Sequence, residues 1–314
     1  MSPDPLLSVV IPVYNEREVL ELTRARLDAV LPGLGLRVEV ILVDDGSSDG
    51  TTELLRALAR RDPRYKALLL SRNYGHQLAL SAGLDHARGD VVVVLDADLQ
   101  DPPELIAPML AKWREGWQVV YGERLSRRGE SWPKRLTANL FYRLIRYLSG
   151  VDIPRNVGDF RLMDRAVVDA LKRMPEHFRF VRGMVAWVGF KQCPLQFERP
   201  PRAAGKTKYP WSKMVRFALD AIFAFSVVPL RLSTFVGVAV MALSLGEITY
   251  TLYLRFILHA VNLGFTPIFI SILFLGGLNL VTLGILGEYI GRIYVETKGR
   301  PLYFVQEYVA AGER

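Results

Sequence analysis

The first part of the chain repeats one pattern: a short apolar run, a polar cluster, then apolar positions at helical spacing. Leu7–Val13 (LSVVIPV) predicts a strand, and Arg17–Leu31 predicts the helix that follows it. The pair recurs as a strand over Val38–Val43 with a helix over Thr52–Arg61, then as a strand over Lys66–Leu70 with a helix over Leu78–Ala87. A fourth strand is predicted over Val91–Leu95, too apolar and β-branched for anything but an interior position. Strands alternating with helices of about 10–15 residues predict a parallel α/β sheet with helices on both faces. Every strand ends in a polar cluster, and in open α/β sheets ligands bind at the carboxyl ends of strands.

Further on the pattern changes. Leu136–Leu148 is amphipathic, with Arg143 and Arg146 beside an apolar face and Lys134-Arg135 just ahead, and Met214–Phe225 is mostly apolar with Arg216 and Asp220 on a narrow strip. Either could pack on a core, but near membrane spans both are expected as interfacial helices. Leu232–Leu254 and Phe265–Leu286 are each apolar for about 22 residues, enough to cross a hydrocarbon core of about 30 Å. Two transmembrane helices joined around His259–Gly264 are therefore expected. Arg216 and Arg231 precede the first, and Arg292, Lys298 and Arg300 follow the second. The positive-inside rule places both termini in the cytoplasm. Met1–Ser8 has no basic region and leads into a strand, so no signal peptide is expected. The organisation expected is a catalytic domain over 1–210, a juxtamembrane helix over 211–231, the two spans over 232–290, and a cytoplasmic tail over 291–314.

Charge sharpens this reading. The net charge is +8, with basic residues crowded into Arg124–Arg146 and Arg199–Arg231, which points to an anionic partner. The spans favour membrane phosphate over nucleic acid. A single cysteine, Cys193, excludes an intrachain disulfide and suits a reducing compartment. The aromatic residues Trp113, Trp117 and Trp187 are read as core or interface residues.

The chemistry concentrates in Val91–Pro103 (VVVVLDADLQDPP), where the fourth strand delivers Asp96, Asp98, Gln100 and Asp101 at its carboxyl end. Two carboxylates this close call for a cation between them, and oxygen ligands suit Mg²⁺ or Mn²⁺. An acidic solvated turn is the plainer alternative, but the buried strand before it and the polar clusters upstream favour a site. No Gly-x-Gly-x-x-Gly follows the first strand and no Gly-Lys-Ser/Thr loop is present, so dinucleotide and P-loop chemistry are unsupported. The histidines His76, His86, His177 and His259 are scattered without ligand spacing, so a histidine metal site is not expected. Within the first span, Glu247 is either functional or a bundle-facing hydrogen bonder. Gly287 and Gly291 permit close helix approach.

Together Ser8–Glu16 (SVVIPVYNE), Val43–Thr51 (VDDGSSDGT), Ser71–Gln77 (SRNYGHQ), Leu95–Pro103 (LDADLQDPP), Val157–Asp164 (VGDFRLMD) and Leu286–Lys298 (LGEYIGRIYVETK) resemble the family 2 glycosyltransferases of GT-A fold. The pattern is most similar to the bacterial polyprenyl-phosphate (bactoprenol) glucosyltransferases, with dolichol-phosphate mannose synthases and aminoarabinose-type transferases more distant. The resemblance implies a Rossmann-like GT-A domain with interfacial helices and two C-terminal transmembrane helices. It also implies a multi-pass enzyme of the inner or plasma membrane with its catalytic domain cytoplasmic, and a homo-oligomer that binds no nucleic acid. Its donor would be a nucleotide sugar, UDP-glucose above all, and its acceptor undecaprenyl phosphate. By the same resemblance Pro12, Tyr14, Glu16, Asp44, Asp45 and Asn73 hold the nucleoside, and Asp96, Asp98 and Gln100 hold the metal and diphosphate. Arg202, on a loop with Lys206 and Lys208, closes over the diphosphate. Arg124, Arg128, Arg135, Asn139 and Lys208 hold the lipid phosphate, and Asp159 acts as a base or orients the acceptor. A cap or an ion pair with Arg161 is the structural alternative for Asp159. A processive polysaccharide synthase would need a Gln-x-x-Arg-Trp motif, which is absent. A non-catalytic nucleotide-binding scaffold would not need the intact Asp96, Asp98 and Gln100, and a flippase or channel is a weaker reading because two spans per chain would line a path only in an oligomer.

Overall fold

The computed structural model describes residues 4–125, 157–198, 228–257 and 265–312. They fall into two compact units: the helical pair before residue 300, and a unit formed by the described residues up to 198 together with the segment from Pro301 onward.

The first unit is built on β1 (Leu6–Val13), α1 (Arg17–Val30), β2 (Arg37–Asp44), α2 (Thr51–Arg61), β3 (Tyr65–Leu70), α3 (His76–His86) and β4 (Val91–Val94). Each of these elements follows the predicted one to within two residues at either end. α4 (Ile106–Arg114), β5 (Val119–Arg124), β6 (Val157–Asp164), α5 (Arg165–Lys172), α6 (Val181–Trp187) and β7 (Gln192–Phe197) come next. A last strand, β8 (Val305–Val309), lies near the C-terminus.

The strands form one sheet of order β7-β5-β6-β4-β1-β2-β3-β8. The expectation of a parallel sheet holds for β1 with β2 and β4, and for β2 with β3. It fails outside them: β6 runs antiparallel to β4 and β5, and β8 runs antiparallel to β3.

The two-residue period of the strands divides the core into two layers. Leu7, Val9, Ile11 and Val13 of β1 pack with Leu20 and Leu27 of α1, Leu55 of α2, and Ile106, Met109 and Trp113 of α4. On the opposite face Gly83 brings α3 against Val10 and Val43. The four valines of β4 are all buried, each contributing about 1.5–3 kcal/mol relative to an exposed side chain. Trp113 is in the core as expected, whereas Trp187 is largely exposed.

The second unit contains α7 (Val228–Phe256) and α8 (Phe265–Thr297), which contact one another. Val228–Gly246 and Phe274–Thr297 have mean hydropathies of 1.8 and 1.3, and the most apolar stretch of each is unburied. Unburied apolar helices of that length are candidate membrane spans. α8 runs past the predicted Leu286 to Thr297, and β8 lies within the segment 291–314. The helices expected to be interfacial, over Leu136–Leu148 and Met214–Phe225, and the side chain of Glu247 lie outside the described residues.

Candidate active site

The order β3-β2-β1-β4 reverses direction between β1 and β4, which makes their carboxyl ends the switch point of the sheet. Three loops meet there, and their contacts explain the polar clusters of the sequence. After β1, Asn15 adopts φ 52°, its amide N–H donates to Ser47 Oγ (2.9 Å), and its Oδ1 accepts from the Ser48 amide (2.8 Å). The Glu16 amide donates to Thr51 Oγ1 (3.2 Å). After β2, the buried Asp44 accepts from the Ser47 amide (3.0 Å) and Thr52 Oγ1 (2.5 Å). Asp45 accepts from the amides of Tyr74 (2.7 Å) and Gly75 (2.9 Å), so it fastens the loop after β3 to the loop after β2. Burial pushes the Asp45 carboxyl up, and these two amide bonds offset that only in part.

Gly46 is required where those loops touch. Its φ is +72°, and a Cβ there would stand 2.6 Å from the carbonyl carbon of Arg72 and 2.7 Å from the amide nitrogen of Asn73. Tyr14 and Asn73 are the exposed groups of this cradle, and Pro12 is buried beneath it.

The Asp96 loop is anchored to β1 by the Leu95 amide donating to the Val10 carbonyl (3.0 Å) and to α1 by Thr23 Oγ1 donating to the Ala97 carbonyl (2.8 Å). Within it the Asp96 amide donates to Asp101 Oδ2 (3.3 Å) and the Gln100 amide to Asp98 Oδ1 (3.1 Å). Leu99 holds φ 60°, a costly conformation for leucine, and it turns the chain between Asp98 and Gln100. Asp101, one of the three carboxylates of the motif, is buried and serves the loop.

Register brings a second carboxylate to this place. The β4–β6 ladder ends with Val94 beside Arg161, and Asp159 lies two residues from Arg161 towards the Asp96 loop, with His76 Nε2 within 4 Å of both carboxylates. Like charges near one another disfavour ionisation, and the surroundings supply the compensation. Asp159 is buried, and Arg182 grips it with Nε on Oδ1 (2.9 Å) and Nη2 on Oδ2 (3.1 Å). Gln77 Nε2 reaches the same Oδ2 (3.1 Å), and Gln77 Oε1 accepts from the Val181 amide (3.0 Å), which ties the start of α3 to the start of α6. His76 Nε2 lies 3.2 Å from Asp159 Oδ2 and 3.7 Å from Asp96 Oδ1.

Burial alone would raise the Asp159 carboxyl, but the Arg182 charge and the bonds from His76 and Arg182 hold it well below the usual carboxylate range. An ionised carboxylate only accepts, so His76 Nε2 carries the proton in that bond. Burial would lower the His76 imidazolium; the Asp159 bond and the charges of Asp96 and Asp159 outweigh it and move it up to about 9. The Asp96 carboxyl is pushed up, first by burial and further by the charges of Asp159 and Asp98, although His76 opposes the shift.

That last shift tests the fit of a cation. A carboxylate crowded by like charges and supported by oxygen donors is a setting that Mg²⁺ or Mn²⁺ relieves. Among the described residues no three His, Cys, Asp or Glu side chains converge into a ready-made metal cage. Asp96, Asp98 and the buried Gln100 therefore fit an ion that takes its remaining ligands from water and substrate, as Mg²⁺ sites commonly do.

The sequence-predicted residues separate by their place in the fold. Asp96, Asp98, Gln100 and Asp159 are brought to the switch point, and the cradle of Tyr14, Glu16, Asp44, Asp45 and Asn73 is built from the loops after the three neighbouring strands. Arg124 ends β5, and its Nη2 would stand 2.6 Å from a Cβ at Gly158, so it runs close along the strand that carries Asp159. Arg128, Arg135, Asn139, Arg202 and Lys208 lie outside the described residues. The ion pair considered with Arg161 is not formed: Arg161 donates instead to the main-chain carbonyls of Asp159 (3.3 Å) and Gly158 (2.9 Å), and Arg182 is the partner. His76, Gln77 and Arg182 were missed. The Asn-Tyr-Gly-His-Gln run after the third strand is a signal for His76 and Gln77, and Arg182 has none.

Comparison with known proteins gives the same outline. The family described as glycosyl transferase family 2 matches residues 8–172, and the GtrB C-terminal hairpin matches residues 228–293. A protein of Synechocystis sp., named an uncharacterised glycosyltransferase, is 48% identical over 302 residues, covering 96% of this chain and 95% of the relative. A prophage bactoprenol glucosyl transferase homolog of Escherichia coli K12 is 40% identical over 300 residues, covering 96% and 98%. Among solved structures, glucosyl-3-phosphoglycerate synthase of Mycobacterium tuberculosis with Mn²⁺, UDP-glucose and phosphoglyceric acid is 23% identical over 70% of this chain and 78% of its own, with a TM-score of 0.46.

Proposed function

Because this chain belongs to glycosyl transferase family 2 and is a glycosyltransferase, we propose that it transfers glucose from UDP-glucose to undecaprenyl phosphate at the cytoplasmic face of a membrane. Similarity over nearly the full length to bactoprenol glucosyl transferases supports the substrate pair. The observation that carries the chemistry is the state of Asp159. Every bond it makes leaves it ionised, occupied and buried, a poor setting for a side chain that must take up a proton at neutral pH.

A phosphate acceptor removes the need for that proton transfer. Its second pKa is ~6, so at neutral pH the attacking oxygen is already an anion. The enzyme's work is then positioning and charge stabilisation. Attack at the anomeric carbon in a single displacement inverts it, so an α-linked donor gives a β-linked lipid phosphate sugar. Asp96, Asp98 and Gln100 would hold a divalent cation, which when bound neutralises charge on the departing diphosphate. Tyr14 and Asn73 would receive the nucleoside in the cradle that Asp44, Asp45 and Gly46 build. Arg124, with Arg128, Arg135, Asn139 and Lys208, would receive the acceptor phosphate, and Arg202 would close over the diphosphate.

Purified protein, undecaprenyl phosphate and a panel of UDP- and GDP-sugars test the substrate pair. UDP-glucose is expected to give the highest kcat/KM. Preference for GDP-mannose or for a UDP-4-amino sugar would move the chain to the dolichol-phosphate-mannose or aminoarabinose type.

A further inference from the structure

We propose that His76 is a specificity-determining residue whose Nδ1 makes a hydrogen bond to a hydroxyl of the transferred hexose. This deepens the function proposed above, and it rests on that reading's placement of a nucleotide-activated hexose beside the Asp96 loop.

One nitrogen of the ring is committed. His76 opens α3, and its Nε2 lies 3.2 Å from Asp159 Oδ2. Asp159 is buried and held ionised, so it accepts and Nε2 donates. That acceptor is itself fixed. Arg182 of α6 holds both its oxygens at 2.9 and 3.1 Å, and Gln77 Nε2 adds a bond of 3.1 Å to Oδ2. Gln77 Oε1 accepts from the Val181 amide (3.0 Å), so α3, β6 and α6 meet around one carboxylate. The imidazole takes its orientation from that carboxylate.

The other nitrogen is open. Nδ1 makes no bond among the described residues, and the His76 side chain is 38% exposed, against 3% for the Asp159 side chain that holds it. A ring fixed at one nitrogen and open at the other is organised in advance to bind. Its position names the ligand. Nε2 lies 3.7 Å from Asp96 Oδ1, on the loop read as the diphosphate site. Arg124, read as a group for the acceptor phosphate, runs close along the strand that carries Asp159. The hexose is the part of the substrates that lies between diphosphate and attacking phosphate. A hydroxyl can donate to Nδ1 or accept from it, so the contact does not depend on the charge of the ring. A site that bonds a hydroxyl also discriminates against a sugar that lacks it.

The test is a cycle between ring and hydroxyl on the full-length protein in detergent. Undecaprenyl phosphate is the acceptor, and UDP-glucose and its monodeoxy analogues are the donors. The wild type is expected to lose about tenfold in kcat/KM on the analogue without the contacted hydroxyl. His76→Gln places its amide nitrogen near the position of Nε2, keeps a donor on Asp159, and leaves nothing at Nδ1. It should lose about as much on UDP-glucose and little more on that one analogue, while UDP alone binds as in the wild type. His76→Asn reaches only the Nδ1 position and should recover part of the discrimination. If His76→Gln matches the wild type on UDP-glucose, His76 only holds Asp159 and the proposal is overturned. Penalties that multiply for every analogue overturn it as well, and leave the substrate reading intact. A wild type that does not use UDP-glucose at all overturns the substrate reading, and the proposal with it.

Discussion

Glu39 shows how a single buried charge fixes the frame on which the site stands. It lies on β2 and accepts from Ser8 Oγ of β1 (2.5 Å), from the Arg88 amide before β4 (2.8 Å), and from Lys66 of β3. Burial alone would raise its carboxyl; the bonds from Lys66, Ser8 and Arg88 outweigh burial and leave it below the ordinary glutamate value. A depressed folded-state pKa contributes stability that is fully present above the unfolded value, ~4.3, and is lost as pH falls through the folded value. Glu39→Gln strands a largely buried lysine and is expected to cost about 3–5 kcal/mol near pH 7. The gap in melting temperature between variant and wild type should narrow towards pH 3, and a gap independent of pH would contradict the assignment. Residues of this kind were not legible in the sequence. Glu39, His76 and Arg182 acquire their roles from neighbours on other elements, and His76 and Asp159 are far apart in the chain. Asp96 and Asp98 were legible because strand, turn and carboxylates are contiguous.

The elements divide in the same way. β1 to β4 and their helices could be read because each is a local pattern, a β-branched run or a helical period, closed by polar residues. β5 to β8 could not. β6 carries Gly158, Asp159 and Arg161 within it, β7 contains Pro194, and β8 is a short edge strand whose partner lies on the far side of the chain. Yet β8 bears on the site. It covers the exposed edge of β3, its Glu307 pairs with Arg56 of α2 (2.9 Å), and the Phe304 carbonyl accepts from the Ser71 amide (2.9 Å), at the root of the loop that carries Asn73. Tyr303 Oη donates to Asp85 of α3 (2.9 Å). A chain ended after Arg300 leaves that edge open and that loop unanchored. It is expected to melt several degrees lower and to bind UDP more weakly, as read by thermal shift with and without UDP. Wild-type melting and UDP affinity in the shortened chain would show that β8 is dispensable.

At the scale of the whole molecule, two kinds of surface coexist. One unit holds a polar site at the switch point of a mixed sheet, and the other presents unburied apolar helices with Leu243 and Leu280 outward. A water-soluble donor and a lipid acceptor need both. In the function proposed above, a lipid phosphate, already an anion, attacks the anomeric carbon and keeps its phosphorus. Mass and ³¹P spectra of the lipid formed from UDP-glucose and undecaprenyl phosphate test this most directly. One hexose joined in β linkage through a single phosphate is expected, with UDP released. A lipid diphosphate sugar with UMP released, or a glucose attached elsewhere than to the phosphate, would contradict it.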